Sequence, residues 1–376
     1  TTRKATDFKD YDRTAWYAIA VSAAVDNGLL YGKSTTVIDP NGDMTRAEMA
    51  AIINRSFGCY KTADISQYKD VAKSKWYYKD VALAVQMGIY NGRSSSAMAP
   101  DAPISRQEAM TVVARALELD YDSYSKTDLS AFSDRSEISN WALPYVRAMV
   151  GADYIHGGTK GLEPLDNITR AEFAQIFHNI IGSYITVKGT YDKDIQGSVL
   201  IRTNEVMLKD MTVDGDLIIG CGAADGKITL DNVNIKGRLL VWGGGTKAVY
   251  CNNGTQMPEV VVARVDGATK VIFDRDSTLA VIDTIKTRIT ERAKQNKETE
   301  IIFYDVSGLR KAQKQLNAIV AGSQLSVVAP AHLYAIVGAT DVKAEFTNNS
   351  KRDMNMQTTP MRTAMESATI AAQRFR

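Results

Sequence analysis

Apolar and polar positions follow two different periods along this chain, and the change falls near residue 183. Before it, apolar residues recur at helical spacing: Trp16, Ile19, Ala20, Ala23 and Ala24, then Trp76, Val81, Ala84 and Val85. After it, short β-branched runs alternate faces. Residues 206–219 (VMLKDMTVDGDLII) are echoed by 228–241 (ITLDNVNIKGRLLV), a shift of 22 residues, with looser echoes at 260–265 and 271–273. Short strands with a Gly or Asp-Asn corner at fixed period predict the coils of a parallel β-solenoid, and a small antiparallel β-sandwich is the competing arrangement. Beyond residue 283 the pattern predicts a polar, helix-prone stretch over 287–297 and a buried strand over 301–306. A helix capped by Ser307 follows, carrying Leu309, Ala312, Leu316, Ile319 and Val320 on one face. Strands over 325–328 and 333–337, separated by Pro330, complete a small α/β unit. The Met-, Thr-, Asn- and Arg-rich residues 347–376 read as a mobile tail or an arm for a neighbouring subunit.

The helical part is an internal repeat. Asp10, Trp16, Gly32 and Arg46 recur as Asp70, Trp76, Gly92 and Arg106, and again as Asp134, Trp141, Gly157 and Arg170. The Asp-to-Arg separation is 36 positions in each copy. Thr45 with Glu48, Ser105 with Glu108 and Thr169 with Glu172 have the spacing of a capping box, which predicts three helix starts. Arg46, Arg106 and Arg170 then fall at the first helical position. A cation there faces the positive end of the helix dipole, losing about 0.3–1 kcal/mol where a carboxylate would gain it. Three such arginines imply a compensating partner. It is either the Asp of the same repeat or an external anion, for which helix-start N–H groups and a guanidinium fork are suited. Each Trp reads as a buried anchor or as a flat wall on which a sugar ring stacks. Gly32, Gly92 and Gly157 permit positive φ or close approach of a ligand to the backbone. Asp39-Pro40, Ala99-Pro100 and Glu163-Pro164 predict an extended segment before each capped helix.

These motifs resemble the S-layer homology module. The match rests on an aromatic two residues before Asp (Phe8/Asp10, Tyr68/Asp70, Phe132/Asp134), then Trp, then Gly-Leu-Leu-Tyr-Gly (28–32), Pro and Thr-Arg-Ala-Glu (45–48), over roughly residues 5–182. The resemblance implies three helical-hairpin modules closed into an all-α pseudo-trimer, followed by the β-rich solenoid and the α/β unit. Boundaries fall at 1–60, 61–122, 123–184, 185–283 and 284–376. It also implies that Asp10, Trp16, Gly32 and Arg46, with their counterparts, line grooves for an acidic, pyruvylated aminosugar polymer of the bacterial cell wall. A pyruvate ketal would offer a carboxylate to the Arg fork and a sugar face to the Trp. The third copy departs from the pattern, with Asp153 where Gly28 and Gly88 stand and one residue fewer between Gly157 and Arg170. That predicts a degenerate groove or a different sugar. Gln107, where Ala stands elsewhere, is expected to matter little.

Composition narrows the alternatives. The 376 residues carry 45 basic and 43 acidic side chains, which gives no electrostatic case for a nucleic-acid partner. No run reaches the roughly 18–20 apolar residues of a membrane span. The start, Thr1-Thr2-Arg3-Lys4, is not a signal peptide, so an exported protein is expected to appear here in processed form. Cys59, Cys221 and Cys251 are too few for a disulfide framework; Cys221 and Cys251 are the one candidate pair. Asp214, Asp216 and Asp231 are candidate solenoid carboxylates for catalysis or calcium, but Asp and Gly at a corner are what a turn requires, and they read as turn residues. His156, His178 and His332 lack ligand spacing, and no phosphate loop, Gly-x-Ser-x-Gly elbow or Cys-x-x-Cys occurs. The reading is a non-enzymatic, extracellular wall anchor with a displayed half, binding no metal or cofactor and capable of self-association on the cell surface. Its rivals are a wall-bound polysaccharide-acting enzyme and a filament or lattice subunit assembled through 284–376.

Overall fold

The computed structural model describes residues 3–245 and 248–304 in full, and beyond them only strands within 324–360. The chain divides into two compact units, 1–182 and 183–376. The expected helix capped by Ser307, the segment around Pro330 and most of the 347–376 tail lie outside the described residues.

In the first unit each repeat supplies two helices: α1 (Ala18–Asp26) and α2 (Arg46–Phe57), α3 (Tyr78–Gln86) and α4 (Arg106–Ala116), α5 (Leu143–Gly151) and α6 (Arg170–Ile180). All three capping boxes form, with Thr45, Ser105 and Thr169 accepting from the N–H of Glu48, Glu108 and Glu172. The two helices of a repeat are not each other's main partners. A long connection separates them, and α2 packs on α3, α4 on α5, and α6 back on α1. The hairpins are therefore sequence units, while the packing units straddle repeats and close a ring.

Backbone bonds close the same ring at its centre. Met44 N–H donates to Ile168 O (2.9 Å), Ile168 N–H to Ile104 O (3.0 Å), and Ile104 N–H to Met44 O (3.0 Å). Each helix start is also tied to the next repeat: Arg46 N–H to Ala102 O, Arg106 N–H to Asp166 O, and Arg170 N–H to Gly42 O. The following N–H groups, of Ala47, Gln107 and Ala171, go to Pro100 O, Pro164 O and Pro40 O. These groups would otherwise be orphans of the first helical turn. Ile38, Met44, Met98, Ile104, Leu162 and Ile168, all fully buried, pack beneath them.

The second unit is a parallel stack. Its strands are β1 (Ile181–Ile185), β2 (Gly189–Tyr191), β3 (Ser198–Ile201), β4 (Val206–Val213), β5 (Leu217–Ile219), β6 (Ile228–Ile235), β7 (Arg238–Val241), β8 (Val249–Asn252), β9 (Glu259–Val262), β10 (Lys270–Phe273), β11 (Lys286–Ile289) and β12 (Glu300–Tyr304). One sheet runs β1-β3-β5-β7-β9-β11, and the other takes the even-numbered strands in order. Pairing from β4 to β6 joins Val206 to Ile228 and Leu208 to Leu230, the 22-residue echo of the sequence. The pairings are parallel, which removes the antiparallel sandwich. Val206, Leu208, Met211, Val213, Leu217 and Ile219 of one coil point into a common core with Ile228, Leu230, Val233, Ile235, Leu239 and Val241 of the next. Asp210 and Asn232 turn the corner with φ of 50° and 54°, and Asn232 Nδ2 donates to Asp210 Oδ1 at 2.8 Å.

Both sheets continue past residue 283. The stretch expected as helix-prone is instead the strand β11, whose Ile289 and Thr287 are buried, and a single 3-10 turn at Ala293–Gln295. Burial of alternate side chains against β9 outweighs the polar local pattern there. A short helix α7 (Arg275–Val281), capped by Asp274, links β10 to β11. β12 is followed by β13 (Gln324–Val328), again parallel, and then β14 (His332–Val337) and β16 (Glu345–Asn348), which are antiparallel; β15 (Asp341–Val342) and β17 (Thr359–Pro360) pair separately.

Candidate functional site

The three repeat arginines are not exposed. Arg46, Arg106 and Arg170 are 5%, 9% and 2% accessible, and each reaches across a ring joint into the following repeat. Arg46 donates from Nε to Met98 O (3.0 Å), from Nη2 to Asn91 O (2.8 Å) and from Nη1 to Glu108 Oε1 (3.1 Å). Arg170 does the same to Ile38 O (3.0 Å), Tyr31 O (2.5 Å) and Glu48 Oε1 (3.0 Å), so the last repeat grips the first. Arg106 bonds Leu162 O (2.9 Å) and Glu172 Oε1 (2.9 Å). The unfavourable position at the helix start is thereby compensated within the protein, by the capping-box Glu of the neighbouring repeat. The helix-start N–H groups, expected to be available to an anion, are likewise occupied by carbonyls.

The repeat aspartates are not the arginines' partners. Asp10 accepts from the N–H of Ile38 (2.9 Å) and Asp39 (2.7 Å), Asp70 from Met98 (2.9 Å) and Ala99 (2.6 Å), and Asp134 from Leu162 (3.1 Å) and Glu163 (2.6 Å). Asp39, Ala99 and Glu163 are left-handed, with φ of 55°, 54° and 50°, rather than extended as the following prolines suggested. A non-glycine residue there is strained, and two charge-assisted bonds from one carboxylate hold it. Burial pushes Asp70 upward, but the Met98 and Ala99 N–H groups outweigh it and leave the carboxyl below its ordinary range. Gly32 and Gly92 are required by packing, since a Cβ at either would strike the ring of Phe8 or Tyr68 in its own repeat.

The tryptophans behave differently. Trp16, Trp76 and Trp141 lie just before α1, α3 and α5 and are 62%, 59% and 52% exposed. Ile19 is more exposed still, so the apolar pattern of α1 overstates its buried face, which is Ala18, Ala20, Val21, Ala24 and Val25. Trp76 lies over α2 in a groove of about 310 Å³ lined also by Tyr31, Lys33, Glu48, Arg55 and Arg170. Trp141 takes the same place over α4 in a groove of about 520 Å³ lined by Asn91, Arg93, Glu108, Thr111, Arg115 and Arg46. In each groove three cations face one carboxylate. Lys33 Nζ bonds Glu48 Oε1 at 2.6 Å, and Arg93 Nη2 bonds Glu108 Oε2 at 3.2 Å. Burial alone would raise Glu48, but the Lys33 and Thr45 N–H hydrogen bonds and the charges of Arg170 and Lys33 win and lower it. Arg55 lies 3.9 Å over the Tyr31 ring.

Lys33, Arg55, Arg93 and Arg115 were missed in the sequence, although a signal existed. They stand one residue after the repeat Gly and nine after the repeat Arg in the first two copies. The third copy has Gly158 and Asn179 at those positions. The joint of α6 with α1, beside Trp16, therefore keeps the Arg106–Glu172 pair but neither further cation. Asp153 preserves the left-handed backbone of Gly28 and Gly88 at φ 62°. Gln107 is not incidental: its amide bonds Ser139 N (2.9 Å) and Ser139 Oγ (3.2 Å), tying the second repeat to the third.

The solenoid carboxylates are tied between coils. Asp214 pairs with Lys236 (2.5 Å), Asp216 with Arg238 (2.6 Å), and Asp231 accepts from Asn253. Cys221 and Cys251 are not joined by a disulfide, and neither is Cys59 in one. No helix among the described residues is long and apolar enough to cross a membrane.

A ring of three two-helix repeats, with aromatic, cation-lined grooves at two of its joints, agrees with comparison to known proteins. The chain carries three S-layer homology domains, matched at residues 7–50, 67–110 and 131–174. It is 28% identical over 319 residues to the surface-layer 125 kDa protein of Lysinibacillus sphaericus, covering 82% of this chain and 26% of that protein. It is 25% identical over 176 residues to an endoglucanase of Bacillus sp. (strain KSM-635), covering 46% and 18%. To the S-layer protein sap of Bacillus anthracis it is 27% identical over 149 residues, covering 40% and 17%. The chain thus spans about a quarter or less of each of these relatives. It is a cell-surface, wall-associated extracellular protein.

Proposed function

We propose that the first unit anchors the chain non-covalently to the cell wall by holding acidic sugar units of a wall polysaccharide, of the pyruvylated aminosugar kind. The grooves beside Trp76 and Trp141 carry the reading, because each sets an exposed indole face against three cations and a single carboxylate. Trp supplies the stacking wall, while Lys33 with Arg55 and Arg93 with Arg115 attract the carboxylate. Arg46 and Arg170 line the groove floor, bonded within the protein, and add their charge from beneath. Asp10, Asp70 and Asp134, with Gly32, Gly92 and Gly157, shape the loop that forms one wall. The joint beside Trp16, Gly157 and Arg106 has the stacking residue without the excess charge and contributes less. Two grooves on one polymer raise the effective concentration of the second contact.

The test is adsorption of the full chain to purified wall polymer. Trp76→Ala with Trp141→Ala should abolish most binding while leaving the helical signal intact. Chemical removal of acidic substituents from the polymer should reproduce the loss seen with Lys33→Ala plus Arg93→Ala. Equal adsorption of stripped and intact polymer would remove the charge from the account.

For the second unit we infer a structural, displayed role. The alignment with the 125 kDa surface-layer protein, at 319 residues, is longer than the whole first unit and must extend into the solenoid. The endoglucanase match, at 176 residues, is no longer than that unit. Turnover of wall or plant polysaccharide by the chain would favour the enzyme reading instead. Concentration-dependent sheets or fibres would favour a lattice subunit.

A further inference from the structure

A second chamber opens beside the first groove. It measures about 580 Å³ and is lined by Arg3, Phe8, Val25, Gly28, Ser34 and Thr35, together with Leu30, Tyr31 and Gly32. The last three also line the groove beside Trp76, so the two spaces share one wall. Tyr31 is the projecting part of that wall and is 58% exposed. Arg55 lies over one face of its ring, 3.9 Å from the centroid.

The geometry points to a second sugar subsite: a polymer unit held beside Trp76 continues over Tyr31, and its neighbour occupies this chamber. This inference rests on the anchoring function proposed above. Both volumes fall in the range of ligand pockets, roughly 300–1,000 Å³. The lining suits a sugar, with an aromatic face, the apolar Val25 and the small Ser34 and Thr35 at the rim. Arg3 adds charge. Its Nη1 is spent on Thr35 O (2.6 Å), and no bond of Nε or Nη2 is made among the described residues. A second acidic unit would meet that free edge.

The chamber belongs to the first repeat. At the corresponding positions the second repeat has Asn91 for Tyr31, Tyr90 for Leu30 and Ala63 for Arg3. Tyr90 is buried and donates to Arg46 O. The groove beside Trp76 should therefore distinguish longer from shorter fragments, and the groove beside Trp141 should not.

The experiment titrates the full chain carrying Trp141→Ala, which weakens the second groove, with one-repeat and two-repeat fragments of purified wall polymer. The two-repeat fragment should bind about ten-fold tighter, the equivalent of one good additional contact. Thr35→Trp, which fills the chamber from its exposed rim, and Arg3→Glu should each bring the two affinities together without weakening the one-repeat fragment. Ser95→Trp, at the matching place in the second repeat, should leave the preference intact. Equal affinity for both fragments before the chamber is altered, or a length preference that survives Thr35→Trp, would overturn the subsite. Failure of the one-repeat fragment to bind at all would instead remove the anchoring function, and the subsite with it.

Discussion

In the first unit three repeats close on themselves, whereas in the second successive coils add one after another along a line. Both arrangements bury an apolar face that one repeat cannot bury alone. The ring leaves no terminal repeat, because Arg170 reaches back to Ile38 O and Glu48 just as Arg46 reaches forward to Met98 O and Glu108. The stack has nearest-neighbour bonds of the same kind, with Asp216 to Arg238 and Asp214 to Lys236 one coil apart, and its sheets add strands in one direction along the described residues. Closure also makes joints, and joints make grooves. The ring therefore carries the candidate binding sites, while the stack supplies length.

That contrast can be broken most sharply at the ring closure. Arg170→Ala strips a buried, three-bond guanidinium from the joint of last and first repeats, and should cost about 3–5 kcal/mol in denaturant unfolding of the first unit. The loss should appear as one cooperative transition of the whole ring. A local change confined to α6 would contradict closure. Next in size, Asp70→Ala removes both bonds that hold Ala99 left-handed and should cost about 2–3 kcal/mol by the same measurement. In the stack, Asp216→Ala breaks one coil-to-coil link. It should cost about 1.5–3 kcal/mol in the second unit's transition and leave the first unit's unmoved.

The smallest effect is a pH dependence. The carboxyls of Glu48 and Asp70 are lowered in the folded ring, so their contribution is complete above their ordinary ranges, 4.5 for Glu and 3.8 for Asp. It is lost as pH falls through the lower folded values. The ring should therefore lose stability progressively below about pH 4.5, and Glu48→Gln should flatten the upper part of that curve. A curve unchanged by that substitution would mean Glu48 is not a keystone of the joint.

Much of this architecture was legible in the sequence because it repeats. The capping boxes formed at Thr45, Ser105 and Thr169, and the 22-residue echo became the register of β4 on β6. The partners of Arg46, Arg106 and Arg170 were not legible. The anomaly at the helix start was real, but its compensating Glu lies 62, 66 and 122 positions away. Local pattern cannot specify a contact whose partner is chosen by ring closure. The left-handed residues before Pro40, Pro100 and Pro164 escaped for a related reason: a carboxylate 29 residues upstream overrides the local preference. Tryptophan exposure could not be read either, since stacking walls and core anchors carry the same periodic signature.

The grip of residue 170 on residues 31, 38 and 48 has a consequence for biosynthesis. A nascent chain meets its first repeat's missing neighbour only 122 to 139 residues after the contacting residues themselves have been polymerised. Until then α1 has no α6 beneath it, and the apolar side of α1 stays uncovered. The first two repeats must therefore wait for the third, and any pause or cleavage between them leaves an open, sticky fragment.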